Sequence, residues 1–105
     1  YVKDIGKMSE AVAKMVRDSV SAYVRKDLEQ ARQVMDADDA VDGMFETIKS
    51  ELVRFIAEHE GKDGEMAMDL IMITKYLERI GDHATNIAEW VEFSITGVHA
   101  GNEQI

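Results

Sequence analysis

The chain has 105 residues, 46% of them hydrophobic and 31% charged, with no proline and no cysteine. This is the composition of one globular domain with a modest core, without disulfides or thiolate metal sites. A net charge of −9, from 12 basic and 21 acidic residues, argues against a nucleic-acid binder and against direct docking on anionic lipid, and is compatible with cation binding.

Three helical segments are expected in chain order, near residues 3–25, 28–60 and 64–96. In the first, Ile5, Met8, Val12, Met15, Ser19 and Ala22 recur at spacings of three and four, with Val16, Val20 and Tyr23 widening the stripe. It should end at Arg25-Lys26, basic residues suited to a helix C-terminus. Asp27 opens "DLEQ", a capping-box-like start with Gln30 three residues on. The second helix carries Val34, Val41, Phe45, Ile48, Leu52 and Phe55 as its core stripe. "GKDG", residues 61–64, is the clearest loop, with Asp63 the expected N-cap of the third helix.

In the third segment Leu70, Ile73, Leu77, Ile80, Ala84, Ile87 and Val91 alternate at three and four, the seam of antiparallel packing near +20°. Met66, Met68 and Met72 read as core filler, and Trp90 as a half-buried core edge. The helix should stop at Gly97. Residues 98–105 read as a frayed tail, leaving 1–97 as the domain. No apolar run approaches the ~20 residues needed to cross a bilayer, and no signal peptide is visible. Because the first residue is Tyr1 and not methionine, a longer parent chain is expected. Long helices with short connections imply an all-α, antiparallel, up-down-up three-helix bundle.

The chemistry lies in two acidic pairs. Asp38 and Asp42 sit four apart on the second helix, and Glu78 and Asp82 four apart on the third. Folding the chain at the "GKDG" loop sets position 40 opposite 83 or 84, so the pairs meet at one level. Like charges at this spacing repel, and the mid-helix Gly81 costs about 1 kcal/mol relative to alanine. A joint reason is a metal platform, with Gly81 clearing space beside the carboxylates. On a helical wheel Asp38 and Asp42 fall roughly 55° and 95° from their core stripe, and Glu78 and Asp82 roughly 125° and 165° from theirs. That places the cluster on the bundle's outer surface.

Oxygen-only ligands suit hard or borderline cations such as Mg²⁺, Mn²⁺, Ca²⁺ or iron, with zinc a further divalent candidate. The competing reading is a solvated acidic face. Asp39, Asn86 and Glu89 flank the cluster as additional ligand candidates, and His83 adjoins it but points about 100° away around the helix. Ferritin-like dimetal sites need Glu-x-x-His, and none of His59, His83 or His99 has a glutamate three residues before it. No nucleophile triad, phosphate loop or glycosidase geometry is evident, nor a pocket with a poised base and oxyanion donors. No enzyme is expected.

"LERIGDHATNIAEWVEF", Leu77 to Phe93, closely resembles the signature of the PhoU family of phosphate-uptake regulators. "DLEQARQVMDADDAVDGMFETIKSEL", Asp27 to Leu52, resembles the helix that precedes it in that family. The resemblance covers nearly the whole chain. It implies a cytoplasmic protein of two three-helix repeats, of which this is one, most like the carboxy-terminal one. It also implies surface metal ions, including multinuclear iron clusters, on the Asp/Glu-x-x-x-Asp motifs, here Asp38, Asp42, Glu78 and Asp82. The implied role is negative regulation of the phosphate-starvation response, linking the ATPase subunit of the phosphate ABC transporter to a sensor histidine kinase. Self-association into a homodimer and membrane attachment only through protein partners are further expectations. The alternative is a PhoU-like regulatory domain appended to an ion or phosphate transporter or channel.

Overall fold

The computed structural model describes residues 1–97; the expected tail and His99 lie outside the described residues. Three helices make up the fold: α1 Val2–Arg25, α2 Leu28–Glu58 and α3 Gly64–Thr96, with no strand among the described residues. Each pair of helices packs together, α2 with α3 most extensively. A 33-residue helix at 1.5 Å per residue is about 50 Å long, which accounts for the 53 Å long axis. None of these helices is long and apolar enough to cross a membrane.

The connections are short enough to force antiparallel neighbours. Lys26 turns the chain in a left-handed conformation (φ 53°), and Asp27 N–H closes back on the Ala22 carbonyl at 3.0 Å. Asp27 then caps α2, its Oδ1 accepting from Gln30 N–H at 3.0 Å, as the "DLEQ" pattern implies. α2 stops two residues before the expected position. There His59 stacks on the Phe55 ring at 4.0 Å, and the chain turns through Glu60 (φ 51°) and Gly61 (φ 85°). Asp63 does not cap α3 through its side chain. It too is left-handed (φ 58°), and a side-chain cap needs an extended backbone to aim its oxygen at the next turn.

The core holds Met8, Val12, Met15 and Ala22 from α1, and Val34, Val41, Phe45, Ile48 and Leu52 from α2, as the periodicity indicates. Ser19 and Thr74 are buried polar residues whose hydroxyls donate back to the carbonyls of Val16 (2.9 Å) and Leu70 (2.7 Å). α3 differs from the sequence reading. Its buried face is Ala67, Thr74, Gly81, Ala84, Ala88 and Val91, while Ile73, Ile80 and Ile87 remain 48%, 44% and 38% exposed. Small residues on α3 let it approach closely, and the long side chains of α1 and α2 fill the space between. The larger apolar residues are therefore displaced to the flank. Val16, Val20 and Tyr23 on α1 are likewise exposed, as are Met66, Met68 and Met72, which are not core filler.

Candidate metal centre

The register between α2 and α3 is fixed where Gly81 passes Val41. A Cβ added at Gly81 would lie 3.5 Å from Val41 Cγ1, 3.7 Å from Met15 Sδ and 3.8 Å from Val12 Cγ2. Gly81 thus faces the core and not the carboxylates, so it clears no space for a ligand; its absent side chain belongs to the helix contact. With Gly81 at the centre of the buried stripe, Glu78 and Asp82 stand nearer the α2 boundary than a stripe through Ile80 implies. The Glu78 side chain is only 12% exposed.

That rotation brings the acids together. Asp38, Asp42 and Asp82 each present a carboxylate oxygen within 4.8 Å of the others. Two oxygens on opposite sides of one ion are separated by about 4 to 5 Å for metal–oxygen distances of about 2.0–2.5 Å. A single cation can therefore bridge the three. Asp38 and Asp42 are half-buried and Asp82 is exposed, so the cluster lies at a solvent-accessible seam. Glu78 abuts Asp42 but stands outside the triad, because its Oε1 is held by Lys75 Nζ at 2.6 Å.

The electrostatics are those of carboxylates lacking a counterion. Asp38 Oδ1 and Asp42 Oδ1 are buried and accept no hydrogen bond, and none of the ion pairs among the described residues involves Asp38, Asp42 or Asp82. Burial, reinforced by the charges of Asp38, Asp82 and Glu78, pushes the Asp42 carboxyl from 3.8 up to about 6. The Asp38 carboxyl is also raised, by burial first and then by Asp82; a hydrogen bond with the Thr85 side chain partly offsets this. Buried acceptors without donors cost free energy, and a bound cation would satisfy them and remove the mutual repulsion.

The other sequence candidates fall outside this triad. Asp39 and Asn86 are exposed, Asp39 acting on Asp38 only through its charge. Glu89 lies half-buried two turns along α3 from Asp82, and His83 is exposed. Two participants escape sequence reading, Lys75 and Thr85. Lys75 lies three residues before Glu78, a spacing the sequence does offer, whereas Thr85 acts on Asp38 of α2 and no spacing along α3 signals it. A further ion pair, Arg32 to Glu92 at 2.9 Å, ties α2 to α3 near the other end of the seam.

A family model described as "PhoU domain" matches residues 5–91. The chain belongs to the PhoU family. It is 38% identical over 96 residues to a protein of Clostridium acetobutylicum named "Phosphate-specific transport system accessory protein PhoU homolog", covering 91% of this chain and 43% of that one. Proteins of the same name from Zymomonas mobilis (42% over 90 residues, 86% and 38% covered) and Caulobacter vibrioides (36% over 95 residues, 90% and 41% covered) are similar to it as well. The chain spans about two fifths of the length of these curated PhoU relatives.

Proposed function

We propose that this PhoU domain is a regulatory module of a phosphate-uptake system, acting by binding protein partners and a metal ion and not by catalysis. Phosphate transport enters from the relatives' names, which describe accessory proteins of a phosphate-specific transport system. The partners proposed are the ATPase subunit of the transporter and a phosphate-sensing histidine kinase, through which the domain represses the starvation response when phosphate is plentiful. Self-association into a homodimer is part of the same reading, as is a domain unit spanning 1–97. A cytoplasmic location fits this role, and with a net charge of −9 membrane association would run through a protein receptor.

The observation that carries the metal reading is the pair of buried, unsatisfied oxygens on Asp38 and Asp42, within 4.8 Å reach of Asp82. We assign these three as ligands of a hard or borderline cation, iron or a divalent ion such as Mn²⁺, Mg²⁺ or Zn²⁺. Glu78 joins them once released from Lys75. Elemental analysis of protein purified without a metal-affinity tag tests this, using Asp42→Asn/Asp82→Asn beside the native chain. The expected result is bound metal in the native protein and its loss in the variant at unchanged helicity. Equal metal content in both would sink the assignment. For regulation, deletion of the gene should derepress phosphate-starvation genes in high phosphate; continued repression would favour the transporter- or channel-appended alternative.

A further inference from the structure

The three aspartates of the cluster form no ion pair, but the fourth of the paired acids does. Lys75 Nζ donates to Glu78 Oε1 at 2.6 Å, the one ion pair among the described residues that reaches any of Asp38, Asp42, Glu78 and Asp82. The two side chains differ in depth: Glu78 is 12% exposed and Lys75 44%. The carboxylate is therefore confined against α2, where it abuts Asp42, while the ammonium reaches water.

This pair adds little to the helix that carries it. A lysine ahead of a glutamate is the less favourable order along a helix, because it runs against the macrodipole. A half-exposed ammonium also gives up little when it exchanges a carboxylate for water. Lys75 has, besides, a second holder. Its Nζ lies 5.0 Å from the centroid of the Phe45 ring, within the range of a cation–π contact. Phe45 is 5% exposed and belongs to the core, so the ring keeps its place whether or not Glu78 does.

Position along the bundle completes the arrangement. Phe45 lies three residues beyond Asp42 on α2, and Lys75 three residues before Glu78 on α3. With the two helices antiparallel, both stand on the side of the cluster toward the 61–64 loop. Lys75 thus restrains Glu78 from outside the triad, and it can release the carboxylate while staying on the ring.

We propose that Lys75 is a positioning residue, a latch that holds Glu78 back from the Asp38–Asp42–Asp82 triad and so lowers the affinity of the cluster for a divalent cation. The inference deepens the metal reading given above and rests on it. Two effects act in the same direction. In the metal-free domain Lys75 neutralises the Glu78 charge, which would otherwise stand unopposed against Asp42, and so it stabilises the metal-free state. It also competes with a bound cation for the same carboxylate. Whatever favours the metal-free state weakens binding by that amount. The latch is releasable because, at equal distance, a divalent ion attracts a carboxylate twice as strongly as an ammonium does.

The test is calorimetric titration of Mn²⁺ into the chelator-treated chain, comparing the native protein, Lys75→Met, Glu78→Gln and the double variant. Methionine keeps an unbranched stem beside Phe45 and removes the charge, and circular dichroism should show unchanged helicity. Lys75→Met should tighten the Kd for Mn²⁺ by about fivefold, the order of one partly exposed ion pair. In the Glu78→Gln background the same replacement should leave the Kd within about twofold, because the group it frees is gone. Lys49→Met is the control for net charge: Lys49 Nζ lies 5.6 Å from the same Phe45 centroid but pairs with Glu46 at 3.8 Å. Its replacement should also move the Kd by less than about twofold.

Unchanged or weaker Mn²⁺ binding in Lys75→Met, with the native chain binding, would overturn the latch and leave the metal reading standing. Equal tightening with and without Glu78, or by Lys49→Met as much as by Lys75→Met, would reduce the effect to net charge and overturn it too. No Mn²⁺ binding by the native chain or by Lys75→Met would remove the metal reading itself, and the latch with it.

Discussion

Asp42→Asn in the metal-free domain isolates what the carboxylate cluster costs. Burial and three neighbouring acids lift the Asp42 carboxyl from 3.8 to about 6. The folded protein therefore holds that proton more tightly than the unfolded chain does. Between those two values the native state binds more protons, so stability falls as pH rises through the window, and the whole penalty is present above about 6. At about 1.4 kcal/mol per unit, a shift of this size corresponds to roughly 3 kcal/mol. The side chain reaches solvent and shares its repulsion with Asp38, which reduces the usable figure to about 1–2 kcal/mol. Asparagine keeps the shape and removes the charge. In chelator-treated protein at about pH 7.5, the variant should be more stable by about 1–2 kcal/mol, a rise in Tm of roughly 4–15 °C for a domain of this size. The gain should shrink as pH is lowered toward about 4.5. Saturating Mn²⁺ should reverse the order, because a cation at about 100 times its Kd stabilises the native protein by about 2.7 kcal/mol and the variant has lost a ligand. Urea melts at two pH values, with and without metal, give all four comparisons. A variant less stable than the native chain when metal-free at neutral pH, or an order that metal does not reverse, would refute the account of the cluster.

Gly81→Ala should be tolerated and should stabilise the fold by about 1 kcal/mol, since its new methyl would meet Val41, Met15 and Val12 at ordinary contact distances of 3.5–3.8 Å; Gly81→Leu should cost about 1–3 kcal/mol by overpacking. Thermal melts decide both, and equal destabilisation by Ala and Leu would show a tighter helix contact than the structure holds. Asp27→Ala removes the side-chain acceptor of the α2 cap and should lower stability by about 1 kcal/mol, whereas Asp63→Ala, whose side chain makes no cap hydrogen bond, should change it little; denaturant titration of the pair would contradict the capping assignment if the two costs were equal.

Much of this protein follows from local chemistry that the chain carries wherever it folds. Helix-favouring composition, two short connections and the Asp27–Gln30 cap determined three helices and their antiparallel order. The i, i+4 spacing of Asp38 with Asp42 and of Glu78 with Asp82, combined with the length of two helices about one loop, determined that the acids share a level. What the sequence could not determine was the rotation of α3 about its own axis. A heptad of isoleucines, Ile73, Ile80 and Ile87, and a heptad of small residues, Ala67, Thr74, Gly81 and Ala88, trace neighbouring stripes of the same period on α3, so periodicity alone does not rank them. Hydrophobicity favours the isoleucines. Packing favours the small residues, because Met8, Met15, Phe45 and Leu52 arriving from α1 and α2 need room that only a side-chain-poor face leaves. That rotation carries Asp82 into reach of Asp38 and Asp42 and turns the isoleucines outward. The depth of the carboxylates, the loss of Glu78 to Lys75 and the raised Asp42 carboxyl all depend on which atoms of other helices lie within a few ångströms, and those distances exist only in the folded chain.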